Sequence, residues 1–237
     1  MSELSEHVQA QLAALAAAHH LDQHQRGQLA RLLVMLADDP QAPTSVRAPA
    51  QALDVHLADS LVALELPVLR SAGRIADIGA GAGFPGLALA VALPASEMAL
   101  IESNARKCEF IEQAVRSLGL ANAAPLAVRA EEWRQGAGAE DVVLARALAP
   151  QSVVLEYAAP LLRIGGALID WRGRRAAAEE QAGSRAAEQL GLERTDVRRV
   201  RPYAAARDHH LHLFVKRTAT PERFPRRPGI ARKRPLG

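Results

Sequence analysis

Aromatic residues make up only 3% of this 237-residue chain, which argues against a binding mode built on stacking many bases against rings. There is one cysteine, Cys108, so no disulfide can close within the chain and a reducing compartment is expected. Its surroundings, Arg106-Lys107-Cys108-Glu109-Phe110, read as helix with no supporting motif, so it reads as an ordinary helix position and not a nucleophile. No apolar run reaches membrane-spanning length. The opening M-S-E-L-S-E-H is acidic, unlike a signal peptide, and a cytoplasmic protein is expected. No metal is expected either. His7, His19, His20 and His24 lack a consistent ligand spacing. His210 and His212 share a strand face beside His209, but no carboxylate or cysteine completes a site.

What remains is ample for a core: 49% of residues are hydrophobic. The length suits one α/β domain with an appendage. Net charge is +3, but Lys216 to Gly237 holds eight basic residues against Glu222 alone, giving that stretch +7 and the remainder −4. A mildly acidic body carrying a basic tail points to a phosphate-bearing partner, or to a merely solvated tail.

The stretch Arg74 to Gly86, R-I-A-D-I-G-A-G-A-G-F-P-G, reads as a buried strand, a tight glycine turn and a helix starting near Pro85. Proline suits a first helical turn, where its missing N–H goes unneeded. Glycines let the backbone turn sharply and let a ligand lie against it, and the helix start offers free N–H groups. Two readings compete. Gly81-x-Gly83-x-x-Gly86 fits the dinucleotide pattern; Asp77-x-Gly79-x-Gly81-x-Gly83 is similar to the first motif of S-adenosylmethionine (SAM) methyltransferases. Glu102, ending the next strand, can accept from ribose hydroxyls in either.

Helical periodicity covers Ser2–His20 and Leu21–Asp38, and Pro49 suits the start of a helix running to Leu61, with His56 and Asp59 on one face. Strands are expected at 75–78, 98–102, 126–129, 142–145 and 167–171, alternating with helices at 85–93, 106–118, 151–162 and 175–190. That alternation predicts a parallel sheet with right-handed crossovers. Residues 194–200 and 211–216 then follow as strands with no helix between, and would pair antiparallel.

D-I-G-A-G-A-G-F-P-G-L-A-L resembles the signature of the bacterial small-subunit (16S) ribosomal RNA guanine-N7 methyltransferases, the glucose-inhibited division protein B family. The resemblance runs from about Thr44 to the C-terminus. It includes His56-x-x-Asp59-Ser60-Leu61, Ala145-Arg146-Ala147 where the family has S-R-A, Trp171-Arg172-Gly173 where it has lysine before glycine, and Thr220-Pro221-Glu222-Arg223-Phe224-Pro225-Arg226-Arg227-Pro228-Gly229. Ala42 stands where the family usually has asparagine. The resemblance implies a Rossmann-like class I SAM methyltransferase sheet, mostly parallel with the last strand antiparallel. It would comprise residues 63–217, after an N-terminal helical segment (1–62) and before a basic tail (218–237). It implies SAM contacts at Gly79, Gly81, Phe84, Glu102, Ala130, Glu131 and Arg146. It also implies RNA contacts at Arg172, Arg223, Arg226 and Arg227, with Arg174 and Arg175 able to hold further phosphates. The expected partner is small-subunit ribosomal RNA or the assembling 30S subunit, met by a monomer.

Guanine N7 carries an in-plane lone pair and no proton, so methylating it needs alignment rather than a general base. Fixed dipoles or a carboxylate near the ring could stabilise the positive charge that develops on the purine; no catalytic residue is assigned, and Asp59 is a candidate only by its place in the family-like segment. Trp171 reads as core. A nicotinamide-dependent oxidoreductase, a nonenzymatic RNA-binding protein and a small-molecule methyltransferase remain as alternatives.

Overall fold

Helix α1 (Glu6–Ala18) begins where Ser5 accepts the Val8 N–H, and α2 (Gln23–Asp38) where Asp22 and Gln25 form a reciprocal capping box. These come from a computed structural model that describes residues 3–237. Ser2, expected to open the first helix, lies outside the described residues.

The next helical stretch is not uniform. α3 (Pro49–Ala52) leads into a wide π-helical turn, Leu53–Ala58, then α4 (Asp59–Leu61), a 3₁₀ turn at Val62–Glu65 and α5 (Pro67–Arg70). The periodicity of one continuous helix hides the wide turn, which bears on the site below.

Strands β1 (Arg74–Ile78), β2 (Glu97–Ile101), β3 (Ala123–Leu126), β4 (Glu140–Arg146), β5 (Leu162–Arg172), β6 (Leu192–Val200) and β7 (His209–Lys216) form one sheet in the order β3-β2-β1-β4-β5-β7-β6. All pairings are parallel except those of β7 with β5 and β6. An antiparallel strand inserted beside the edge distinguishes this sheet from a wholly parallel dinucleotide-binding one. Helices α6 (Gly86–Ala92), α7 (Ala105–Leu118), α8 (Gln151–Ala158) and α9 (Ala177–Leu190) cover its two faces, and the short α10 (Ile230–Lys233) is the last element.

Alternation along the strands divides the core in two. Ile75, Leu100, Val142 and Leu144 pack with Leu29 and Leu33 of α2, Leu57 of the wide turn, Leu87 of α6 and Ile111 of α7. Ala76, Ile78, Val143 and Ala145 face the other way, toward Val154 and Leu155 of α8 and Leu190 of α9. Phe224 and Ala231 of the basic C-terminal stretch join this second layer. Burying a phenylalanine is worth about 1.5–3 kcal/mol, so this stretch is held against the body and is not a free arm. Cys108 and Trp171 are both buried.

Two strands depart by three residues or more from the sequence expectation. β3 occupies 123–126, not 126–129, because Pro125 reads as a break but is tolerated on an edge strand. β5 begins at Leu162, where helix was expected, and passes through Gly165–Gly166. A Cβ on Gly166 would sit 2.8 Å from the Glu140 carbonyl oxygen, so only glycine admits this close pairing of β4 and β5.

Candidate cofactor and substrate cleft

Strand order reverses between β1 and β4, and in such sheets the carboxyl ends at the reversal form a crevice. Asp77, near the end of β1, accepts the Gly86 N–H at 2.8 Å and so fixes the start of α6. A Cβ on Gly86 would come within 2.2 Å of Leu100 Cδ2 and 2.7 Å of Asp77 Oδ2. Glycine is required there by contact. At Gly81 it is required by backbone, with φ +61° and no close neighbour.

The loop is pinned from β2. Gly79 and Ala80 donate to the Ile101 carbonyl at 2.8 and 3.0 Å, and the Gly81 N–H donates to Glu102 Oε2 at 2.9 Å. Glu102 Oε1 accepts the Asn104 N–H at 2.8 Å. Each carboxylate oxygen keeps a further lone-pair direction for a ligand hydroxyl.

Above this loop lies a cleft in two halves. The first, about 470 Å³, is lined by the glycine loop, Phe84, Glu102, Lys107, Arg146, Thr44 and His56. The second, about 290 Å³, is lined by Ile101, Val128 to Glu131 and Tyr157. Gly79, Ser103, Leu148 and Arg232 border both. A larger hollow of about 720 Å³ between α1 and α2 touches no strand end.

Arg146, at the end of β4, turns into the wide helical turn. Its Nη1 donates to the Val55 carbonyl at 3.1 Å and to Asp59 Oδ2 at 2.9 Å. Asp59 Oδ1 meets His209 Nδ1 at 3.0 Å, and the Asp59 carbonyl accepts the Trp171 indole N–H at 2.8 Å. The Arg146 guanidinium carbon also stands 5.9 Å from the Phe84 ring centre. His56 also stacks on Phe84, at 4.6 Å with the rings 9° apart. His56 Nε2 lies 3.1 Å from Thr44 Oγ1 and 3.2 Å from the Val46 carbonyl oxygen.

Burial, then the positive charge of Arg146, lowers the His56 pKa to about 4, so the ring is neutral at physiological pH. Burial raises Asp77 to about 7 against the opposing Gly86 hydrogen bond. Asp59, the carboxylate beside Arg146, is engaged by Arg146 and His209.

The expected cofactor residues Gly79, Gly81, Phe84, Glu102, Ala130, Glu131 and Arg146 all line the cleft. The expected RNA residues divide. Arg223 and Arg227 are exposed. Arg172, however, turns inward to Asp170 at 2.6 Å, Glu179 at 2.9 Å and the Ala149 carbonyl at 3.0 Å. Arg226 clamps Glu156, whose side chain is 1% exposed, through Nε at 2.7 Å and through Nη2. Arg175 chelates Glu180 with two 2.7 Å bonds. These guanidinium groups are neutralised by carboxylates, so charge in sequence overstated the charge available at the surface. Arg174 stays exposed.

Some cleft residues went unrecognised. Thr44 carries no motif of its own, and His56 reads in sequence only as sharing a helix face with Asp59. Tyr157 and Arg232 carried no local signal, because only the fold brings them to β4. His209, weighed above as a metal ligand, pairs with Asp59. His212 pairs with Gln151 at 2.9 Å. Among the described residues no His, Cys, Asp and Glu group is arranged to hold a metal, and no helix is long and apolar enough to cross a membrane.

Residues 28–209 match the family described as rRNA small subunit methyltransferase G. The chain is 37% identical over 223 residues to the ribosomal RNA small subunit methyltransferase G of Synechococcus sp. strain JA-3-3Ab, covering 90% of this chain and 86% of that protein. It is 39% identical over 186 residues to the protein of the same name from Syntrophomonas wolfei, covering 78% and 86%. In fold it is similar to Aeropyrum pernix fibrillarin, solved with natively bound S-adenosyl-L-methionine. There the TM-score is 0.52 at 20% identity, over 67% of this chain and 73% of that one. With its glycine loop, antiparallel β7 and family match in agreement, the chain belongs to the rRNA small subunit methyltransferase G family.

Proposed function

We propose that the protein transfers a methyl group from S-adenosyl-L-methionine to N7 of a guanine in small-subunit (16S) ribosomal RNA. The observation that carries this reading is the Gly81 N–H bound to Glu102 at the mouth of the open crevice, in a chain of this family. Glu102 would hold ribose hydroxyls, and the backbone at Ala130 the adenine edge. Glu131 borders that half of the cleft. Gly79, Gly81 and Phe84 would line the methionine half, with Lys107 and Arg146 beside it as cations for a carboxylate. When bound, the cofactor supplies an electrophilic methyl on a positively charged sulfur.

The chain's own groups fit an acceptor that needs no deprotonation. His56 is held neutral by burial. Asp59 is a positioning residue that fixes Arg146 at the cleft wall. Guanine must be presented unstacked, since A-form RNA hides its major-groove edge. The exposed Arg174, Arg223 and Arg227 would hold flanking phosphates without selecting the base. Ribosomal RNA as substrate implies work in the cytoplasm, and the protein is proposed to act as a monomer.

Methyl-labelled SAM, incubated with small-subunit RNA from a strain lacking the enzyme, tests this. Both naked RNA and assembled subunits are needed. Label entering either RNA form supports the proposal; SAM binding without transfer to either contradicts it.

A further inference from the structure

The C-terminal stretch reads in sequence as an RNA arm, but one of its arginines borders both halves of the cleft. We propose that Arg232 is a cofactor-binding residue, contacting the adenosyl part of SAM or S-adenosylhomocysteine, and that residues 224–237 form the outer wall of that site. This rests on the methyltransferase reading above.

Four residues border both halves: Gly79, Ser103, Leu148 and Arg232. Three belong to loops at the sheet's carboxyl edge. Arg232 arrives from 84 residues beyond Leu148, with its Nη2 3.0 Å from the Leu148 carbonyl oxygen. Its charge also acts on the hydroxyl of Tyr157, which lines the second half. A guanidinium has five N–H donors. The Leu148 carbonyl takes one of them, which leaves donors over for a ligand lying between Gly79 and Leu148.

The side chain is delivered by a segment fixed on both sides of it. Before it, Phe224 and Ala231 are buried. Arg226 clamps the buried Glu156, and the Gly229 N–H donates to Glu131 Oε1 at 3.1 Å. After it, Leu236 packs on the same core. Glu131 itself lines the second half of the cleft, so wall and pocket floor are joined by a hydrogen bond. A cation held in place this way binds without the ordering cost that a free arm would bear. Residues whose only task is to meet RNA need no such anchoring to the cofactor crevice.

The test is isothermal titration of S-adenosylhomocysteine, with no RNA present, into the full chain and into Arg232→Ala, Arg232→Lys and Arg227→Ala. Arg232→Ala should raise Kd at least about tenfold, ~1.4 kcal/mol. Arg232→Lys should recover part of the loss, since lysine keeps the charge but not the fork. Arg227→Ala, exposed and away from the cleft, should stay within twofold. Arg232→Ala binding within twofold of the unmodified chain would overturn the inference and leave the methyltransferase reading intact. Equal weakening by Arg227→Ala would overturn it too, by reducing the effect to net charge. An unmodified chain that binds neither S-adenosylhomocysteine nor SAM would overturn both readings together.

Discussion

Asp59 and Arg146 form an ion pair at 2.9 Å with side chains only 10% and 15% exposed, joining the helical segment before the sheet to the end of β4. The wide turn at Leu53–Ala58 makes this possible. It directs the Val55 carbonyl and the Asp59 carboxylate to the same guanidinium nitrogen.

Asp59→Asn would leave Arg146 without its carboxylate in a largely buried position, at a cost of about 3 kcal/mol in stability. Single-turnover methylation should slow at least tenfold, while affinity for S-adenosylhomocysteine changes less. Urea unfolding and rapid-quench kinetics check the two effects. A variant that methylates at the normal rate would remove Asp59 from the site's working parts.

The glycine loop should show two kinds of failure. Gly81→Asp meets no packing clash, but puts a carboxylate and an unfavourable backbone into the cleft; SAM binding should vanish while the fold survives. Gly86→Ala must displace Leu100 and Asp77, so it should cost about 1–3 kcal/mol in stability. Calorimetric binding and thermal melts on both variants separate the cases. Normal SAM affinity in Gly81→Asp would remove the cofactor from this crevice.

Arg226 and Arg227 are neighbours with different tasks. Arg226→Met should destabilise the protein by about 3 kcal/mol, because Glu156 would remain buried without its partner. Arg227→Ala should leave stability unchanged and weaken RNA binding in a salt-dependent way. If filter binding shows the two variants to be equivalent, or Arg226→Met melts like the parent protein, the clamp has been overvalued.

These two arginines also mark the limit of sequence reading here. The glycine loop, the strand-end Glu102 and the antiparallel last pair were legible because each is written in a few contiguous residues. The Arg226–Glu156 clamp is not, since the partners are 70 positions apart and both look like ordinary surface charges. The same holds for Arg172, whose lone charge in sequence becomes a neutralised group beside Asp170 and Glu179. The wide turn escaped for another reason: its hydrophobic spacing is nearly that of an α-helix. β3 was displaced by three residues because Pro125 punctuates a strand only when that strand has neighbours on both sides.

Asp77 gives a pH signature. Burial raises its folded-state pKa to about 7, above the ordinary value of 3.8. Between these values the native state holds a proton that the unfolded chain lacks, so this group's contribution to stability falls as pH rises from about 4 to about 7. Asp77→Asn cannot titrate, and its stability should decline less over that window. Urea midpoints from pH 4.5 to 7.5 provide the comparison; parallel curves for the two proteins would show that Asp77 is ionised in the native state throughout.

The most direct measurement is the identity of the methylated nucleoside. Small-subunit RNA is taken from a strain lacking the endogenous enzyme and supplied with either the unmodified chain or Gly81→Asp, then digested and separated by chromatography. The expected result is 7-methylguanosine with the unmodified chain and none with Gly81→Asp. Absence of 7-methylguanosine with the folded, unmodified chain, or equal amounts with both, would contradict methyl transfer to N7 at this crevice.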